Sequence, residues 1–241
     1  MKRASILSVI VAAWATGCGG DVSETATEAE ALSVSANPGI APPWSWPYLR
    51  SYGQWEVEWW QWSMRIPAAR DPISDTTGEH CAEGQHGPVW FLAGTWQDAG
   101  PVRRECTIPR GKALYFPVVN QIWVQMLSDP PSTLPEMREY TRAAMRGARI
   151  SATIDGRDVV GLTRYYEETP VFSATFGQDN SWGATAENCP LRRGMFVCNE
   201  SVDAGYSLFV YPLPPGDHTI HFDATLTNGF VLDVTYTLHV R

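Results

Sequence analysis

The chain has 241 residues, 18 lysines and arginines against 26 aspartates and glutamates, and a formal net charge of −8 at pH 7. This acidic balance argues against a nucleic-acid partner and against electrostatic attachment to anionic lipid, because both need clustered positive charge. No cofactor is implied by any motif. "RGKAL" lacks the upstream glycine of a phosphate-binding loop, "DTTG" has one residue too many for an aspartic protease, and no G-x-S-x-G elbow occurs.

Lys2 and Arg3 precede an apolar stretch, Ile6 to Trp14, that is too short to span a bilayer. This is the pattern of a secretory signal peptide over residues 1–17. Ala15, Thr16, Gly17 and Cys18 resemble the lipobox of bacterial lipoproteins. The resemblance implies cleavage before Cys18, diacylation of its sulfur, acylation of its new amino group and a partner membrane reached through that lipid anchor. The alternative is a plain signal peptide with an incidental cysteine. Gly19 rather than an aspartate follows the cysteine, which by analogy points to the outer membrane or the cell surface of a bacterium. Loss of Lys2 and Arg3 leaves sixteen basic residues against twenty-six acidic ones, a net charge of −10. Residues 18–43 have no aromatic side chain and much Ser, Thr, Ala and Glu, as in a flexible acidic tether. Residues 44–241 suffice for one domain with its own core, expected to begin near Trp44.

The stretch "WEVEWWQW" reads as a helix. At about 100° per residue, Trp55, Trp59, Trp62 and Ile66 form one stripe, with Val57, Trp60 and Met64 opposite. Glu56 and Ser63 share a polar flank. Two apolar stripes predict a helix sandwiched between a sheet and a second element, ligand or partner, and Pro67 ends it. The balance favours all four tryptophans lying in the core. "VWFLAGTW" is a short strand, and "ECTIPRGKALYFPVV" a further strand region with a turn at Arg110-Gly111. Thr133, Pro135 and Glu136 mark the start of a second helix, running to about Arg146 with Met137, Tyr140, Ala144 and Met145 inward. Strands follow from Arg149, with a hairpin at Asp155-Gly156. Between residues 164 and 200 the periodicity is poor.

The last hairpin fixes its own register. A three-residue loop, Thr227-Asn228-Gly229, aligns Leu226 with Phe230 and every apolar residue behind them, with Gly229 as a left-handed bulge. Asp223 then opposes Asp233, so the pair either splays into water or binds a cation. These elements predict a mainly β, α+β chain: an antiparallel β-sandwich-like domain with the tryptophan helix and one further helix on its flank. Cys81, Cys106, Cys189 and Cys198 form an even set in an exported chain and read as two disulfides. Of three connectivities, Cys81–Cys106 with Cys189–Cys198 closes the shorter loops. A zinc site is the competing reading, against which stands the absence of a C-x-x-C pair.

Trp59, Trp62, Asp75, Thr77-Gly78, Cys81, Gln85 and Gly87-Pro88, followed by Cys106, Pro109, Gly111-Lys112, Pro117 and Asn120, resemble a pattern shared by a family of uncharacterised exported bacterial proteins. The resemblance covers most of the chain beyond Tyr48. It implies one domain and carries no activity. His80 and His86 lie outside it.

Candidate functional residues fall into three groups. Asp75, Glu79, His80 and His86, with Asp71 and Gln85 alongside, could ligate a metal and activate water for hydrolysis. They serve equally as turn and surface residues. Trp44, Trp46 and Trp60 could stack on sugar rings or cover the core. Lys112 is a turn charge or a site residue, and Asn120 a strand-end side chain that bonds loop backbone. The leading expectation is a lipid-anchored envelope protein that binds a ligand or partner, a glycan or another envelope protein. The alternatives are a metal-assisted hydrolase using the Asp75–His86 loop and a structural envelope subunit.

Overall fold

The computed structural model describes Asn37, residues 39–96 and residues 100–241. The expected signal peptide and lipidated Cys18 lie outside the described residues. The domain starts earlier than Trp44. Within the expected tether, Asn37 is buried and exchanges hydrogen bonds with the Val160 backbone, Ile40 bridges to Val210, and Ala41 is fully enclosed. The correction follows from apolar packing of Ile40 and Ala41, which the polar composition around them hid.

Helix α1 spans Tyr52–Arg65. Ser51 caps it by accepting from the Gln54 N–H, and the Gln54 side chain returns a bond to the Ser51 N–H. Pro67 forces Ile66 out of helical backbone and stops it. Helix α2 spans Leu134–Met145 with the expected Thr133–Glu136 capping box. Met137 and Met145 face inward as expected. Tyr140 does not: it is exposed, edge-on to Trp123, and Thr141 takes the buried position instead.

Two mixed, antiparallel-rich sheets pack face to face. Sheet A contains β1 (Val89–Phe91), β3 (Ala113–Val124), β6 (Tyr166–Glu168), β7 (Phe172–Phe176), β8 (Leu191–Arg192) and the long β9 (Met195–Val210), which pairs with β3, β6, β7 and β8. Sheet B runs β2 (Val102–Ile108), β11 (Val231–Val240), β10 (Gly216–Thr225), β4 (Arg149–Ile154) and β5 (Arg157–Asp158). The expected sandwich is therefore present. Most pairs are antiparallel as expected; two, β1 with β3 and β2 with β11, are parallel. The turn at Gly111 is a crossover between sheets, so β2 and β3 are not hairpin partners.

Between the sheets Phe116 stacks on Phe222 at 5.0 Å. The other face of sheet A carries α1, where Tyr52 meets Tyr115 and Trp55 meets Phe209 at 5.5 Å. Strand β3 is thus covered on both faces, and "ALYFPVV" is correspondingly a continuous buried run. All four tryptophans of α1 are buried. Three of them send their indole N–H to a carbonyl, Trp55 to Pro47, Trp59 to Leu92 and Trp62 to Glu83. The polar flank of α1 departs from expectation: Glu56 is 0% exposed, and Ser63 is buried beside it.

The C-terminal hairpin has the expected register, with Thr225 opposite Val231, Gly229 in left-handed backbone and the Leu226 N–H bonded to the Phe230 carbonyl. The β4–β5 turn is Asp155-Gly156, both at positive φ, as a two-residue hairpin requires. Asp223 and Asp233 are directly opposed and turn to different partners, Ser151 and His221. Both expected disulfides are formed, Cys81–Cys106 and Cys189–Cys198. Among the described residues no helix is long and apolar enough to cross a membrane.

Candidate functional site

Beneath α1 lies a set of acids that the flank of the helix conceals. Glu56 accepts from Tyr115 Oη at 2.8 Å, from Asn120 Nδ2 at 2.6 Å and from Ser207 Oγ at 2.7 Å. Tyr115 Oη also lies 2.6 Å from Glu167 Oε1. Asp203 completes the set, 0% exposed, with neither carboxylate oxygen hydrogen-bonded. These groups share one face of sheet A because of an irregularity. Tyr115 and Asn120 are five residues apart and would face opposite sides of a regular strand. An extra residue in β3 between Pro117 and Val119 shifts the register against β9 and turns both toward Glu56. Gly205 permits the close approach there, since a Cβ on it would lie 2.6 Å from the Asn120 Cβ.

Burial raises the Glu56 pKa, opposed by the donors from Ser207, Tyr115 and Asn120. Burial, then the Glu56 charge, pushes Glu167 well above the carboxylate range. Burial, then Glu56 and Glu167, does the same to Asp203; Trp60 and Arg138 oppose it only in part. The Trp60 indole N–H faces Asp203 without reaching hydrogen-bond geometry. Arg138 does not pair with these acids; it bonds the Thr169 carbonyl at 2.7 Å and lies 3.5 Å from Glu168. Glu56 has Ser207 and Asn120 as donors of its own, Asp203 has none, and the single Tyr115 proton is shared between Glu56 and Glu167.

Asn120 is also part of the wall of a pocket of about 180 Å³. The size is close to the roughly 150 Å³ that encloses a benzene-sized guest. Trp59 and Trp60 come from α1, Asn120 and Gln121 from β3, Phe230 and Leu232 from the β10–β11 arm, Trp96 from the loop after β1, and Trp182 from the loop after β7. The rings interlock edge to face, Trp60 with Trp182 at 5.3 Å and Trp96 with Trp182 at 4.8 Å. Trp96 stands at the rim, 37% exposed.

Each loop-borne wall is separately pinned. The Trp96 indole donates to Ser74 Oγ at 2.9 Å. Arg104, 2% exposed, gathers the loop around it by donating to the carbonyls of Ile73, Asp75 and Ala93 and to Tyr236 Oη. The Cys81–Cys106 bridge ties that loop to β2. The Cys189–Cys198 bridge ties the segment after Trp182 to β9, and Asn180 knots the turn that carries Trp182.

Of the residues singled out from sequence, Trp60 and Asn120 come together here, although Asn120 bonds a buried carboxylate and not loop backbone as expected. Of the rest, Asp75, Glu79 and His80, with Asp71, line a second, shallow pocket, and His86 lies in another. Asp75 is a turn residue whose carboxylate takes the N–H groups of Thr77, Gly78 and His80. Burial raises its pKa, but the donors from His80, Thr77 and Gly78 outweigh that and leave it below the usual value. Glu79 and His80 face each other at 3.4 Å on the surface, and His86 bonds its neighbour Gly84. Gln85 pins strand β1 through three bonds to Cys81 and Phe91. Lys112 donates to the Gly87 carbonyl. Trp44 and Trp46 lie on the surface away from the pocket, Trp46 63% exposed. Among the described residues no three His, Cys, Asp or Glu side chains are arranged to hold a metal ion. Asp75, Glu79 and His80 of that loop share a pocket but are not placed to hold one metal ion, and His86 stands apart from them.

Glu56, Glu167, Asp203 and Arg104 gave no signal in sequence. The nearest to one was the odd pairing of Glu56 with Ser63 on a flank between two apolar stripes.

No family model matches the chain, and no curated protein matches it. Among solved structures it is similar to a family 123 glycoside hydrolase from Clostridium perfringens, described for glycolipid glycan hydrolysis, at 10% identity and a TM-score of 0.20. The alignment takes in 58% of this chain and 23% of that one, and likeness at this level carries no argument about function.

Proposed function

We propose that the protein is an exported small-ligand-binding domain, tethered to the envelope through Cys18, with the tryptophan-walled pocket as its binding site. The observation that carries this reading is the pocket itself. Its aromatic walls come from separate chain segments, each independently pinned by a disulfide, a buried arginine or an asparagine-centred turn, and pre-formed apolar walls with few polar groups characterise ligand sites. Export is supported by the two disulfides and by the signal-peptide pattern, and the tether by the lipobox-like Ala15 to Cys18.

Two variants of the full chain test the two halves of the proposal. Cys18→Ala should move the protein from the membrane fraction to the soluble one; unchanged fractionation and lipid mass would remove the anchor. Trp96→Ala, at the rim, should leave the fold intact and abolish ligand-induced changes in tryptophan fluorescence and melting temperature. A screen of sugars, amines and small apolar compounds in which nothing depends on Trp96 would remove the pocket from function.

A further inference from the structure

The pocket carries more information than its aromatic walls, because its polar groups are oriented. Among the described residues, none that line it is charged. Asn120 presents its amide nitrogen to Glu56 Oε1 at 2.6 Å, while Tyr115 and Ser207 take the other oxygen. The opposite end, Oδ1, has no protein donor among the described residues and is the atom that Asn120 offers to the pocket. Gln121 is held the same way round, its Nε2 donating to the Ile122 carbonyl at 3.0 Å. The Trp60 indole N–H is turned to Asp203, which leaves the ring for the pocket. The amide nitrogens of Asn120 and Gln121 are thus engaged by the protein, four tryptophan rings line the cavity, and Glu56 lies one side chain behind the wall.

Resting on the pocket being the binding site, we propose that its ligand is a small organic monocation with an apolar shell, an alkylated ammonium headgroup. A cation over indole faces is attracted by the ring quadrupole, and quaternary ammonium groups are suited to such cages because their charge is spread over methyl groups that need no hydrogen bonds. The acidic charge of the chain favours the same sign of ligand.

The test compares choline with its uncharged isostere, in which a quaternary carbon replaces the nitrogen, by calorimetry on the full-length Cys18→Ala protein. Choline should bind at least tenfold more tightly. Glu56→Gln should reduce that preference without weakening the isostere. Because this variant alters a buried network, Trp96→Leu provides an independent arm: it keeps an apolar wall but removes the π-face, and should cost choline roughly fivefold while leaving the isostere within twofold. Equal affinity for the two probes, or loss of both alike in Trp96→Leu, overturns the charge preference and leaves an apolar pocket. Binding of an uncharged sugar with no binding of choline overturns it in favour of a glycan site. No Trp96-dependent binding of any probe removes the pocket and the inference together.

Discussion

Asp203→Asn should make the protein more stable at neutral pH, by an amount that grows with pH. Asp203 has no solvent exposure and no hydrogen bond to lose from its carboxyl group. It is faced by the Trp60 indole, by Glu56 on α1, by Glu167 on β6 and, more remotely, by Arg138 on α2. In the unfolded chain an aspartate titrates near 3.9, about the usual value. Burial, then the neighbouring glutamates, raise the folded value well above that. The folded state therefore keeps this proton when the unfolded state has released it. Stability from this group is fully present below about pH 4 and is lost as pH rises toward the folded pKa, at about 1.4 kcal/mol per pH unit. Between pH 5 and pH 7 the loss continues for as long as the folded group holds its proton. Asparagine has the same shape and no proton to lose. The variant should therefore gain stability over wild type across this interval, read as a melting temperature that falls less between pH 5 and pH 7. His218 and His239 are both raised above their ordinary value. Their contributions also fade as pH rises, but equally in both proteins, so they cancel in the difference. Denaturant melts at pH 5 and pH 7 measure the effect. Parallel pH profiles for the two proteins, or a variant that loses ground as pH rises, would refute a raised Asp203.

Trp59→Ala and Trp60→Ala should destabilise the fold to a similar extent, each by about 3–5 kcal/mol, because both rings are buried and, against the expected opposite stripes, pack edge to face on each other at 4.9 Å. Equilibrium unfolding of each variant decides it, and a Trp60 variant with wild-type stability would place that side of the helix on an open surface. Reducing the Cys81–Cys106 bridge, which closes 25 residues, should cost about 3–4 kcal/mol. Reducing Cys189–Cys198, which closes 9, should cost about 2–3 kcal/mol and loosen the Trp182 wall, read as weaker quenching between pocket tryptophans.

Local chemistry in the sequence determined much of the scaffold. The Thr133–Glu136 cap, the Gly229 bulge and the Asp155-Gly156 turn each depend on residues a few positions apart, so their geometry can be read without knowing the fold. The disulfide pairing followed from loop length, and the burial of four tryptophans from the cost of exposing them. Only the tertiary structure decided what lies behind the pocket. A glutamate on a helix flank reads as solvent-facing, and Glu56 is buried because its partners arrive from 59, 64 and 151 residues away. Two of those partners share a face only through the irregularity in β3, which breaks the alternation that sequence reading relies on. Glu167 lies in the stretch whose periodicity was weakest, on a strand of three residues that exists only because β9 pairs with it. Hydrophobic periods and turn residues act over a few positions of chain. The protonation and orientation of a buried polar group depend on whatever the rest of the chain brings into contact with it, and no local pattern encodes that.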